Sequence, residues 1–160
     1  MPAIYPFFEW CEKTTLYSLI ANHEAGYPAL ETLHLFGLTL LLGTLLILCL
    51  RLLGVMLPKQ PVAELASDLN PYQTAGLWLM LITGPLMFVA TAIRCYGNTS
   101  FWVKMILLIS ALIFHFVYFR KLVRRDDANI SSGAGKLAAA VTLALWFGVG
   151  LAGRSIGFFG

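Results

Sequence analysis

Few side chains in this sequence can do chemistry, and those that can sit in apolar surroundings. His34 is the only strongly polar residue between Leu33 and Leu50. Lys104 and His115 lie eleven residues apart in a second apolar run, which is about three helical turns and places them on one helix face roughly 16 Å apart. Glu31 stands three residues before His34, and Arg94, Lys104 and Arg154 fall near the ends of apolar runs. Imidazole ligates iron or copper and carries protons near neutral pH. Cations gathered around a histidine suit the propionates of a haem whose iron that histidine holds, or the polar head of a quinone or another anion. For each cation the plainer alternative is a side chain snorkelling to the membrane surface.

The elements that position these residues are transmembrane helices. Hydrophobic residues make up 59% of the 160 residues and charged residues 12%, with a mean hydropathy of +0.78. An ordinary soluble domain is roughly 25% charged. This composition is that of an integral membrane protein of one domain, and its partner is the lipid bilayer. The net charge of +3 is modest and its basic residues fall in loops rather than among aromatics, which excludes nucleic acid as a partner.

Spans are expected at about 28–57, 72–93, 101–120 and 137–156, each long enough for a bilayer core of ~30 Å. The breakers between them are Pro58 and Pro61, Asn70-Pro71, Gly97-Asn98, and Ser131-Ser132-Gly133. Residues 1–26 lack the charged opening and continuous apolar core of a signal peptide, and their apolar positions recur at helical spacing, so they read as an interfacial helix. The expected fold is an all-α integral membrane protein, a four-helix transmembrane bundle with an N-terminal interfacial helix. Arg51, Lys59, Arg120, Lys121, Arg124, Arg125 and Lys136 flank the loops after spans one and three, so the positive-inside rule turns both termini outward, to the periplasm of a bacterial inner membrane. Trp10, Tyr96 and Trp102 on one side and Tyr118 near the other fit interfacial belts.

Along span four, Ala140, Ala144, Gly148 and Ala152 recur every fourth residue, the pattern of close helix packing or of a flat wall against a planar cofactor. At ~1.5 Å per residue, His34 lies about 14 Å outward of the middle of its span and His115 about 8 Å inward of its own, so one haem gripped by both is disfavoured. Two sites in opposite leaflets, a methionine partner (Met87 or Met105 outward, Met56 or Met80 inward) or five-coordinate iron would each satisfy the depths. His23 reads as a surface residue. Cys11, Cys49 and Cys95 show no metal-ligand spacing; Cys11 and Cys95 share the outer side, where an oxidising compartment would allow them to pair.

The series YPALETLHLFG, TGPLMF, CYGNTSFWVKMILL and LALWFGVGLAGRSI resembles an uncharacterised family of small bacterial four-span membrane proteins over nearly the whole chain. The early histidine and the YG-x4-W-x-K arrangement resemble the membrane domain of copper-resistance-D (CopD) proteins. Lys104 followed eleven residues later by His115 resembles HemJ-type protoporphyrinogen oxidases, which are haem-associated. These resemblances carry over His34, Lys104 and His115; Arg154 matches the small family only.

The leading expectation is a b-type haem protein of the membrane with a redox or electron-transfer role, involving quinone or a redox partner protein. His34 and His115 are then candidate iron ligands, and Glu31, Arg94, Lys104 and Arg154 are contacts to the cofactor. The alternatives are an accessory subunit of a larger complex or homo-oligomer, a copper-handling protein, and an oxidoreductase of the protoporphyrinogen-oxidising type.

Overall fold

The computed structural model describes residues 4–124 and 133–158, and its elements are helices throughout. They are α1 (Tyr5–Glu12), α2 (Thr15–Ala21), α3 (Gly26–Leu52), α4 (Val62–Ala90), α5 (Ala92–Tyr96), α6 (Thr99–Phe114), a π-helical turn (His115–Phe119), α7 (Arg120–Val123) and α8 (Gly133–Ser155). α6, the π turn and α7 form one rod, and with α3, α4 and α8 it makes four helices long and apolar enough to cross a membrane.

The four do not share the core equally. α3 packs along both α4 and α8, and α8 packs along the α6 rod, so the lateral order is α4, α3, α8, α6. In the most apolar stretches of α3 and α8, 33% of residues are buried, against 11% for α4 and the α6 rod, which makes α3 and α8 the inner pair. Leu41, Leu45, Leu48, Cys49 and Leu52 from α3 meet Ala138, Ala139, Trp146 and Val149 from α8 in the main core. The outer members are tied at their ends: Phe88 stacks on Phe101 with ring centroids 5.5 Å apart, and Arg120 donates to the Asn70 side chain over 3.2 Å.

Several boundaries differ from those expected. α3 stops at Leu52 although the sequence stays apolar to Leu57, because Gly54 takes a left-handed φ of 79°. Gly54 N–H then donates to Arg51 and Val55 N–H to Leu50, a Schellman closure that a β-carbon would oppose. The loop beyond is clasped by Arg51, which donates to the Gln60 carbonyl over 2.7 Å and to that of Pro58 over 3.2 Å. α4 begins at Val62 rather than near 72, and the expected breaker Asn70-Pro71 lies inside it. A proline removes one helix donor, but here the turns before it are held by Leu65, which is buried, and Leu69, which packs against the core. α8 begins at Gly133; the expected Ser131-Ser132 turn and Arg125 fall outside the described residues.

The N-terminal segment is two short helices rather than one, and α1 docks onto protein. Phe8 and Cys11 are buried with Ala92 and Cys95, among the rings of Phe88, Tyr96 and Phe101. Cys11 and Cys95 thus share one cluster, each as a free thiol. The Glu12 carboxylate accepts from the Ile93 N–H at 2.9 Å, fastening α1 to the start of α5. Glu12→Ala is expected to leave the four spans intact while speeding amide hydrogen exchange selectively across residues 5–12, read by mass spectrometry.

Both described ends of the chain meet at this same end of the bundle, where the Asn98 side chain caps α6 and also donates to the Ile156 carbonyl over 3.2 Å. The small-residue stripe of α8 does not all pack: Ala140 and Ala144 are exposed, while Thr142 and Trp146 face the core. Residues two positions apart on a helix differ by about 200°, so burying the large Trp146 face turns those alanines outward. Gly148 does pack, against Leu107.

Candidate functional site

His34 is held by one well-defined hydrogen bond. It lies on α3, and its Nδ1 is 2.8 Å from Thr83 Oγ1 on the antiparallel α4. The Thr83 hydroxyl spends its single proton on the Leu79 carbonyl at 2.7 Å. With that proton on Leu79, Nδ1 donates to Thr83 and Nε2 keeps a free lone pair; in the other tautomer the hydroxyl turns to Nδ1 instead. The first is the tautomer of a metal-ligating histidine whose second nitrogen is fixed by a neighbour. Gly84 flanks the ring: a β-carbon there would lie 3.6 Å from Cε1. His34 itself is half-buried.

The remaining members of the cluster come from three elements. Tyr27, Glu31 and His34 belong to α3, Arg94 and Cys95 to α5, and Lys104 to α6. Lys104 extends across Gly153 of α8, where an added β-carbon would sit 3.5 Å from its Cε and 3.6 Å from its Nζ. It is partly buried and close enough for its charge to act on both His34 and Cys95. Tyr27 in turn lies within electrostatic range of Glu31, Cys95 and Arg94. The structure thus brings Glu31, His34, Arg94 and Lys104 to one end of the bundle.

Arg154 is placed differently. It is exposed, and its guanidinium lies over the Phe158 ring, 5.1 Å from the centroid, rather than over His34. His23 is exposed in the bend before α3, as expected of a surface residue. Met56 is exposed in the turn after α3, and the pairing of Gly76 with Gly37 puts Met80 within a turn of the His34 level instead of in the opposite half.

His115 stands apart from this cluster. It opens the π turn, 4% exposed, with Phe116, Phe119 and Trp146 at ring-centroid distances of 5.1, 6.0 and 6.3 Å. The register of the helices fixes its depth. Leu42, eight residues beyond His34, touches the position of Gly150, and Trp146 at His115 is four residues further on. Counted to Trp146 this is twelve residues, and to Thr142, which the α6–α8 register places level with His115, sixteen; at ~1.5 Å per residue the histidines stand about 18–24 Å apart along the bundle, so one iron cannot take both. Among the described residues no group of three or more His, Cys, Asp or Glu side chains is placed to hold a metal ion.

Thr83 is the residue that sequence reading passed over, although it stands in the TGPLMF stretch opposite His34 in the α3–α4 hairpin. Thr83→Val removes the partner of a half-buried imidazole nitrogen, which costs at most the loss of about 1–3 kcal/mol that a fully buried group would suffer. The expected result is a lower melting temperature in detergent, restored by Thr83→Ser.

Fold and site together define a small four-helix membrane protein with a polar cluster, centred on one oriented histidine, at the end where the described ends of the chain meet. The chain belongs to the family of unknown function DUF6644, whose profile matches residues 7–159. No curated protein and no solved structure matches it.

Proposed function

We propose that the chain is a b-type haem protein of the bacterial inner membrane that moves electrons at the end of the bundle marked by His34, with quinone or a redox protein as partner. The observation that supports this reading is the orientation of the His34 ring: its Nδ1 is engaged by Thr83 at 2.8 Å, and the tautomer in which Nδ1 donates there leaves Nε2 available to iron. Lys104 and Arg94, on the same end, are cations suited to propionates. The resemblance of His34 and the YG-x4-W-x-K arrangement to CopD membrane domains, and of Lys104 and His115 to HemJ-type proteins, adds to it. The bound haem would supply one-electron chemistry; His34 would hold it, Gly84 would leave room beside the ring, and Lys104 would bias the potential.

Of the two histidines, His34 is the ligand in this reading, because His115 is closed in by aromatic rings. Both termini lie in the periplasm in this proposal, with the basic end that carries Arg51, Lys59, Arg120 and Lys121 in the cytoplasm.

The experiment is an absorption spectrum of the detergent-purified protein, oxidised and then dithionite-reduced, with pyridine-haemochrome quantification and metal analysis. A sharp reduced α-band with near-stoichiometric haem is the expected result. A colourless protein that co-purifies with other membrane subunits would replace this reading with that of an accessory subunit, and stoichiometric copper without porphyrin would replace it with copper handling.

A further inference from the structure

The π turn at His115 gathers two polar atoms that the protein does not pair. His115 Nδ1 and Thr142 Oγ1 are both buried without a hydrogen-bond partner, in residues 4% and 1% exposed. Thr142 combines an unbonded hydroxyl with full burial. Thr32, Thr39, Thr44, Thr83 and Thr91 each donate their hydroxyl to the carbonyl four residues back, whereas the Thr142 hydroxyl makes no such bond.

The two residues lie at the same level of the bundle. Gly148 opposes Leu107 and Gly153 opposes Lys104, so α8 and the α6 rod run antiparallel with Thr142 level with residues 113–115. Around them the walls are apolar: Trp146 stands edge-on to the imidazole and Phe119 lies stacked beside it. In such surroundings an unpaired polar atom is costly, and π turns recur where a helix is deformed to serve a site. Arg120, one turn on, is directed to Asn70 and the Phe116 ring rather than to either atom.

We infer that His115 and Thr142 form a buried binding site for one water molecule inside the half of the bundle opposite His34. Water is the smallest group able to donate to one of the two atoms and accept from the other, so it serves either tautomer of the imidazole. Its position, next to a histidine and one turn from the basic end, makes it a station through which His115 can exchange protons with that side of the membrane. This inference does not depend on haem.

The test is water-edited solid-state NMR of the full chain in liposomes, with carbon-13 labels in histidine, threonine, phenylalanine and tryptophan. Magnetisation from water is expected to reach the His115 and Thr142 side chains several-fold faster than the rings of Phe119 and Trp146. Thr142→Val should slow the build-up at His115 and Thr142→Ser should retain it. Build-up at His115 in the unaltered protein as slow as at Trp146 would overturn the site, including the case in which the two side chains simply bond each other. Because that comparison is made in the unaltered protein, it stands even where a variant fails to fold.

Discussion

Gly76→Val is expected to abolish the folded bundle rather than to weaken it. α3 and α4 touch backbone to backbone at this point. A β-carbon on Gly76 would sit 2.8 Å from the Gly37 carbonyl oxygen, 2.8 Å from the Leu41 amide nitrogen and 3.0 Å from the Leu40 β-carbon. None of these atoms is the end of a flexible side chain, so relief requires the helices to separate. Small residues at such contacts are what association inside a bilayer depends on, since lipid offers apolar side chains no penalty. Overpacking of even a tolerant core costs about 1–3 kcal/mol, and a rigid backbone clash exceeds that range. Gly37→Ala is the milder control. Its β-carbon would meet the Gly76 carbonyl oxygen and the Leu79 β-carbon at 3.1 Å each, wider than the 2.8 Å contacts at Gly76, so a smaller shift of the helices relieves it. The measurement is monodisperse yield and melting temperature in detergent; Gly76→Val melting within a few degrees of the unaltered protein would refute the argument.

The same contact shows what sequence could and could not convey. Hydropathy located four spans because a bilayer demands one property of every lipid-facing turn, and that property accumulates over twenty residues. Helix pairing depends on single residues whose partners lie elsewhere in the chain. The small-residue rule was applied to α8, where the pattern is longest, yet Ala140 and Ala144 turn outward because Trp146 claims the core face. The closest approach instead uses one glycine from each of α3 and α4, and no spacing within either helix announces it. Likewise Asn70-Pro71 reads locally as a break, but packing of Leu65 and Leu69 carries α4 through it.

For the site, His34 was legible because an ionisable group is conspicuous in an apolar run. The separation of His34 and His115 was partly legible as well, since helix rise is fixed: depth counting from sequence disfavoured one iron between them, and the register of the helices sets them farther apart than one iron spans. Thr83 was not legible, because a membrane threonine ordinarily bonds its own helix. Thr83 does that too, and its role comes only from the second lone pair of the same oxygen. The direction of Arg154 was beyond reach for a related reason. A long side chain at a helix end chooses among partners by small differences, and here it takes Phe158.

If the chain holds haem as proposed, His34→Ala is expected to yield a folded protein without it. The structural cost is limited because His34 is half-buried and Thr83 keeps its bond to Leu79, so the fold retains its α3–α4 contact at Gly37 and Gly76. The functional cost is complete, because Nε2 of His34 is the iron ligand in the proposed reading and His115 lies about 18–24 Å deeper. His115→Phe should therefore retain the Soret band, and a protein that loses it on His115→Phe but keeps it on His34→Ala would reverse the assignment. Lys104→Gln separates binding from tuning. A cation near the iron favours the reduced state, which carries one more electron, so its removal lowers the midpoint potential while leaving the Soret band in place. An unchanged potential in Lys104→Gln would mean that this ammonium points to the membrane surface, and that Gly153 merely gives its stem a path along α8.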